Sequence, residues 1–279
     1  MPLIRDREIG IFFWAEPDAV ATVRAVKSCG VVSGQLGVDG SVVLNEETAA
    51  RWKEALRQED FHLFTVFAAY EGESYADIPT VQRTVGFVPR ETRAAREVRT
   101  RAVIDFAAAL GVKSFGCHVG CIPADRQDPD YRDVLELVRR IADYAASHGM
   151  NFCLETGQEP AEELLAFFED AARGNLKINF DPANMVLYGS GEPIAAFRLL
   201  RSHVASCHGK DGDWPDPAKP GSLGTERPLG EGSVNIARFM ETLRETGFTG
   251  PVCVESGLHG EEQRWQALAR AVRLLEQLR

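Results

Sequence analysis

The chain has 279 residues, 44% of them hydrophobic and 26% charged, the balance of a soluble globular protein. Its formal net charge of -10 argues against a nucleic-acid partner, because neutralising phosphates calls for a basic face. The apolar run within MPLIRDREIGIFFW is too short for a signal sequence or a membrane span. A cytoplasmic protein with no membrane partner is therefore expected. The 6 cysteines are dispersed without a Cys-x-x-Cys pair and read as reduced, mostly buried thiols. Cys117 and Cys121 alone make a poor zinc site.

In chain order, strand patterns fall at 9–14, 31–36, 61–67, 112–118, 151–155, 176–181, 203–208 and 251–255. Amphipathic helical patterns lie near 17–29, 46–59, 90–110, 130–148, 159–173, 192–201, 233–246 and 261–278. Several end at a glycine that can take a left-handed turn, as at Gly111, Gly149 and Gly247. Eight strand–helix units of this length predict an α/β fold, a (β/α)8 TIM barrel filling 1–279 as a single domain. The rival, a doubly wound open sheet, normally carries a glycine-rich turn after its first strand. FFWAEP at that point has no glycine. Two connections are long, 68–90 and 209–232. Both leave the C-terminal end of a strand, where such barrels place their chemistry, and both are candidate lids.

The last four strand patterns end on Glu155, Asp181, His208 and Glu255, each just before a turn. Strand side chains alternate, so Asn151, Cys153 and Glu155 share one face, as do Val204, Ser206 and His208. Pro251, Cys253 and Glu255 form the matching set in the last strand. Adjacent strands would then aim three carboxylates and an imidazole at one point above the barrel. Carboxylates that close repel one another unless a cation lies between them. The donor set suits one divalent metal ion, Mn2+, Mg2+ or Co2+, with Zn2+ a further candidate.

At LETG, FDPANM, HGKD, PLGEGSV and VES the chain resembles the xylose-isomerase-like TIM-barrel superfamily of sugar phosphate isomerases and epimerases. The resemblance implies that Glu155, Asp181, His208 and Glu255 bind one divalent metal. It also implies that Glu155 and Glu255 are the catalytic acid/base pair. Proton transfer beside a sugar carbonyl passes through an enediolate, whose oxyanion needs fixed positive charge nearby. The implied activity is a metal-dependent isomerase or epimerase of a sugar, keto-sugar or polyol in carbohydrate metabolism. The same chemistry also serves a dehydratase or lyase of a keto-inositol or 3-keto-sugar. An endonuclease-IV-like DNA repair nuclease is the distant alternative. Members of the superfamily are often dimers or tetramers, so the resemblance also admits a homo-oligomer here.

His118, in CHVG, matches a position that contacts substrate in the family or binds an additional metal in its nucleases. Asn184 stands where the repair nucleases and ketose 3-epimerases carry histidine; its alternatives are a bond to a substrate hydroxyl or a cap on the turn after Asp181. Trp14 is placed to stack on a sugar face or to pack. Lys210, just past a strand end, would steady a substrate oxygen, with Asp211 holding the turn. Trp214 opens the proline-rich lid and would close over bound sugar. Gly230 and Gly232 before Ser233 raise two alternatives, a phosphate cradle or a plain helix cap on Ser233. His62, His148, His203 and His259 read as structural or surface residues.

Overall fold

The computed structural model describes residues 7–258 and 261–279; His259 lies outside them. Its strands are β1 (Ile9–Trp14), β2 (Ser33–Val38), β3 (His62–Ala68), β4 (Ser114–Cys117), β5 (Asn151–Glu155), β6 (Leu176–Phe180), β7 (Val204–Gly209), β8 (Asp211–Asp213), β9 (Thr225–Arg227) and β10 (Val252–Val254). All but β8 and β9 close into a parallel barrel in the order β1-β10-β7-β6-β5-β4-β3-β2. The helices around it are α1 (Ala19–Lys27), α2 (Glu46–Gln58), α3 (Ile78–Thr84), α4 (Arg90–Leu110), α5 (Pro129–Ser147), α6 (Ala161–Ala171), α7 (Pro182–Tyr188), α8 (Pro193–Leu200), α9 (Ile236–Glu245) and α10 (Glu261–Leu278). Among the described residues no helix is long and apolar enough to cross a membrane.

The eight strand patterns each become a barrel strand, with ends shifted by at most two residues. Local chemistry explains the helix limits. Asp18 accepts the Ala21 amide to start α1, and Asn45 accepts the Thr48 amide to start α2. Gly111 closes α4 at φ +80°, a conformation costly for any residue with a Cβ. Along α5 the apolar spacing buries Val134, Val138, Ile141 and Ala145 against the sheet. The main core lies between strands and helices, built on residues such as Ile11, Phe13, Leu36, Phe115, Phe152 and Ile178.

Four elements were not expected. Helix α3 forms inside the 68–90 connection, α7 directly follows β6, and β8 and β9 pair as a small antiparallel hairpin inside 209–232. Each is short, seven residues or three, too few for a period to stand out. The proposed cap at Ser233 is corrected: α9 begins later, and Asn235 caps it by accepting the Arg238 amide. Ser233 instead donates to Asp213 at 2.9 Å.

Two glycines shape the barrel mouth. A Cβ on Gly37 would come within 2.5 Å of the Trp14 ring, and one on Gly116 within 2.6 Å of the Phe67 ring. Their absence lets both rings lie close over the strands at the C-terminal end.

Candidate metal centre and cavity

Glu155 is the last residue of β5, His208 lies near the end of β7, and Asp181 and Glu255 directly follow β6 and β10. These four strands are neighbours in the barrel. One ligand atom from each residue lies within 4.8 Å of all the others, a group that could hold a metal ion. His208 Nδ1 stands at its centre, 2.8 Å from Glu255 Oε2, 3.1 Å from Glu155 Oε1 and 3.4 Å from Asp181 Oδ2. Asp181 divides its carboxylate. Oδ1 accepts the amides of Ala183 and Asn184 and so caps α7, which leaves Oδ2 for the cluster.

The other side of His208 is set by residues deep in the barrel. Gln35 donates through Nε2 to Asn179 Oδ1 at 3.1 Å and to Ser206 Oγ at 3.4 Å, and Ser206 donates to Asn179 at 2.6 Å. The Gln35 Oε1 atom is therefore free to accept, and it lies 2.8 Å from His208 Nε2. That places the neutral ring's proton on Nε2 and its lone pair on Nδ1, facing the carboxylates. The rings of Phe12 and Phe67 flank the imidazole, each with its centroid 5.8 Å away.

Around the cluster each glutamate has its own partners. His118 Nδ1 accepts from Gln158, leaving Nε2–H to face Glu155 Oε2 at 3.3 Å. Asn184 donates to Glu155 Oε1 at 3.2 Å. Lys210 Nζ donates to Glu255 Oε2 at 3.3 Å and to Asn184 Oδ1 at 3.3 Å, and it lies 3.7 Å from Asp181 Oδ2. Burial opposes ionisation of both glutamates. His118 and His208 nevertheless hold the Glu155 carboxyl below its ordinary range, and Lys210 and His208 hold Glu255 well below it. Burial likewise opposes a charge on His208, but Glu255 and Glu155 outweigh it and keep the ring's pKa well above the usual value. Three carboxylates thus face a lysine ammonium and an imidazole that they keep protonated at Nδ1. This donor set fits a divalent cation, which would complete the charge balance and take the place of the imidazole's second proton.

Glu155 and Glu255 of the cluster line a cavity of about 380 Å³ at the C-terminal mouth of the barrel, with Asp181 and His208 buried beneath. His118, Asn184, Lys210 and Trp14 line it, as the sequence suggested. Trp214 does not: it stands 44% exposed beyond β8, and that connection lines the cavity with Leu223 and Glu226 instead. Sequence reasoning missed Tyr75, Tyr188 and Glu226 on the cavity wall and the Gln35 contact to His208. Tyr75 and Glu226 arrive from the two long connections, whose course has no period to read.

The phosphate-cradle reading of the glycine cluster is also corrected. The amides of Gly230 and Gly232 each donate to Asp211 Oδ2 at 3.0 Å, while those of Gly212 and Val234 donate to Oδ1. The protein's own carboxylate fills the nest that an anion would need. A Cβ on Gly232 would come within 2.4 Å of Asp211 Oδ1, so the approach requires glycine. Asp211 holds the turn, as expected, and takes no part in the cluster.

A closed parallel barrel with carboxylates and a histidine converging at its C-terminal mouth defines an α/β-barrel protein with an enzyme-like site. The family model for the xylose isomerase-like TIM barrel matches residues 23–278, and the chain belongs to that family. The chain is similar to a xylose isomerase domain protein from Planctomyces limnophilus, at 38% identity and a TM-score of 0.93, covering 98% of each chain. It is 26% identical over 151 residues to the L-ribulose 3-epimerase of Methylomonas sp. (strain DH-1). That match covers 50% of this chain and about half, 47%, of the curated relative. The fold is shared with a xylose isomerase-like TIM-barrel protein from Mycobacterium smegmatis, solved in complex with magnesium. The TM-score there is 0.72 at 19% identity, with 100% of this chain and 98% of that one covered.

Proposed function

We propose that the protein is a divalent-metal-dependent isomerase or epimerase of a sugar or keto-sugar, with Glu155 and Glu255 as its proton-transfer pair. One observation carries the reading. The two glutamates stand at the ends of a four-strand arc, on either side of His208, and each is held by a separate donor set at the floor of one cavity. Support comes from the curated relative, itself an L-ribulose 3-epimerase, and from the magnesium in the mycobacterial relative.

Glu155, Asp181, His208 and Glu255 would hold the ion. When bound, it supplies the fixed positive charge that lowers the cost of an oxyanion developing on the sugar carbonyl. The remaining work falls to the chain's own side chains. One glutamate removes the proton from the carbon beside the carbonyl, and the other returns a proton to the opposite face, which inverts that centre. Return to the neighbouring carbon would instead interconvert aldose and ketose. His118 and Asn184 on one side and Lys210 on the other keep both carboxylates ionised and aimed. Lys210 and Asn184 also offer donors to substrate hydroxyls, while Phe12, Trp14 and Phe67 give an apolar wall for the sugar's C–H face. The 68–90 and 209–232 connections would act as lids that exclude water.

The test is solvent deuterium incorporation into candidate ketoses by protein loaded with Mn2+. Glu255→Gln should lower incorporation on the order of 10²–10⁴-fold. A variant that keeps full exchange with the metal bound would sink the assignment. An unsaturated or deoxy product from the wild type would move the reading to a dehydratase.

A further inference from the structure

Barrel strand β10 is the shortest of the eight and stops at Val254, so Glu255 lies just past the ladder. Its backbone N–H reaches Gly209 O at 3.3 Å, longer than a usual amide bond. Its side chain is 22% exposed, whereas those of Asp181 and His208 are fully buried. Glu155 differs: it is the last residue within β5 and pairs in register with Asn179. Something beyond the strand must therefore fix the backbone that carries Glu255.

Glu226 is placed to do so. It is the middle residue of β9, directly across from Gly212 in β8. Its Oε1 accepts from Ser256 Oγ at 2.9 Å and from the Gly257 amide at 2.8 Å. Ser256 Oγ in turn accepts the Leu258 amide at 3.3 Å. These donors are the residues immediately after Glu255. The hairpin that carries Glu226 follows directly from His208 and Lys210, and Asp211 pins its far end.

We propose that Glu226 is a positioning residue for Glu255. By clamping Ser256 and Gly257 it holds the Glu255 carboxylate toward His208 Nδ1 and Lys210, and it does so only while the β8–β9 hairpin is seated over the cavity. The role rests on the proposed function in that Glu255 is taken to serve the ion and the proton transfer. It adds a link between the seating of the 209–232 connection and the competence of the site.

The test compares the purified full-length wild type with Glu226→Ala, Glu226→Gln and Ser256→Ala. Mn2+ affinity is read by calorimetry, and kcat and KM are read with a ketose that the wild type turns over. Glu226→Ala should weaken Mn2+ about 10-fold and lower kcat about 10- to 100-fold, with KM moving much less. Glu226→Gln keeps an acceptor oxygen for both donors and should restore affinity and kcat to within about 3-fold of wild type. Ser256→Ala removes one donor and should fall between them; it also serves if Glu226→Ala folds poorly. Unchanged affinity and kcat in Glu226→Ala or in Ser256→Ala would overturn the proposal. So would a Gln variant as impaired as the Ala variant, because charge rather than the accepted bonds would then matter. A rise in KM alone would also overturn it, in favour of a substrate contact. The Mn2+ measurement needs no sugar, so a wild type that binds Mn2+ but turns over no ketose would defeat the proposed function and leave the clamp decided by affinity.

Discussion

His208 is an effective metal donor only if its lone pair points at the carboxylates, and Gln35 enforces that by accepting from Nε2. Gln35→Leu is of similar size and cannot accept, so the ring would lose its fixed tautomer. Mn2+ affinity measured by calorimetry should fall about 10- to 100-fold; an unchanged value would remove Gln35 from the site. A second buried group acts on stability rather than on chemistry. Burial pushes the Glu159 carboxyl up to about 7 from the ordinary 4.5, with the Ile122 amide pulling partly back. A raised acid pKa favours the folded state below the unfolded value and loses that benefit as pH rises through the folded one. Between pH 4.5 and about 7 the wild type should therefore lose up to about 3 kcal/mol that Glu159→Gln does not lose. Urea melts of both proteins at pH 5 and pH 8 check this, and parallel pH dependences would contradict it. Neither the contact of Gln35 with His208 nor the burial of Glu159 could be read from the sequence. Gln35 is separated from His208 by 173 positions, and Glu159 differs from Glu162 and Glu163, in the first turn of α6, only in being covered.

At the scale of elements, the 209–232 connection depends on one carboxylate. Asp211 takes four amides, from Gly212, Gly230, Gly232 and Val234, and is itself buried. Asp211→Ala should cost about 3 kcal/mol in denaturant unfolding. It should also make the 209–232 segment a preferred site of limited proteolysis; a cleavage pattern like the wild type's would show that the hairpin holds without it. The barrel strands and most long helices were legible because alternation and 3.6-residue spacing extend over many residues. Helices α3 and α7 and the β8–β9 hairpin were not, since three to seven residues carry too little pattern. The glycine cluster misled for a related reason. A GxG turn looks alike whether its amides await a ligand or face a carboxylate nineteen residues back.

For the whole molecule, the proposed metal centre would tie stability to a cation. The fold holds three carboxylates together with one lysine nearby, so any ion that binds only the folded state stabilises it by mass action. Mn2+ at about 100 times its dissociation constant should add about 2.7 kcal/mol, and Tm should rise by roughly 5–8 °C over the chelator-treated protein. Differential scanning fluorimetry reads this directly, and no shift with Mn2+, Mg2+ or Co2+ would argue against the metal centre. The four strand ends that make up this site were readable from the sequence because each falls at the last inward position before a turn. Their mutual distances were not, since those depend on barrel closure.

The barrel order has one more consequence. Strands β5, β6, β7 and β10 carry or immediately precede every member of the charged cluster, while Phe12, Trp14, Phe67 and Tyr75 reach the cavity from the first third of the chain. The aromatic wall of the cavity and the charged cluster are therefore inherited from separate stretches of the gene. Under the proposed function, changes confined to residues 9–90 would reshape that wall against the substrate while leaving the four cluster residues intact, provided Gln35 is kept.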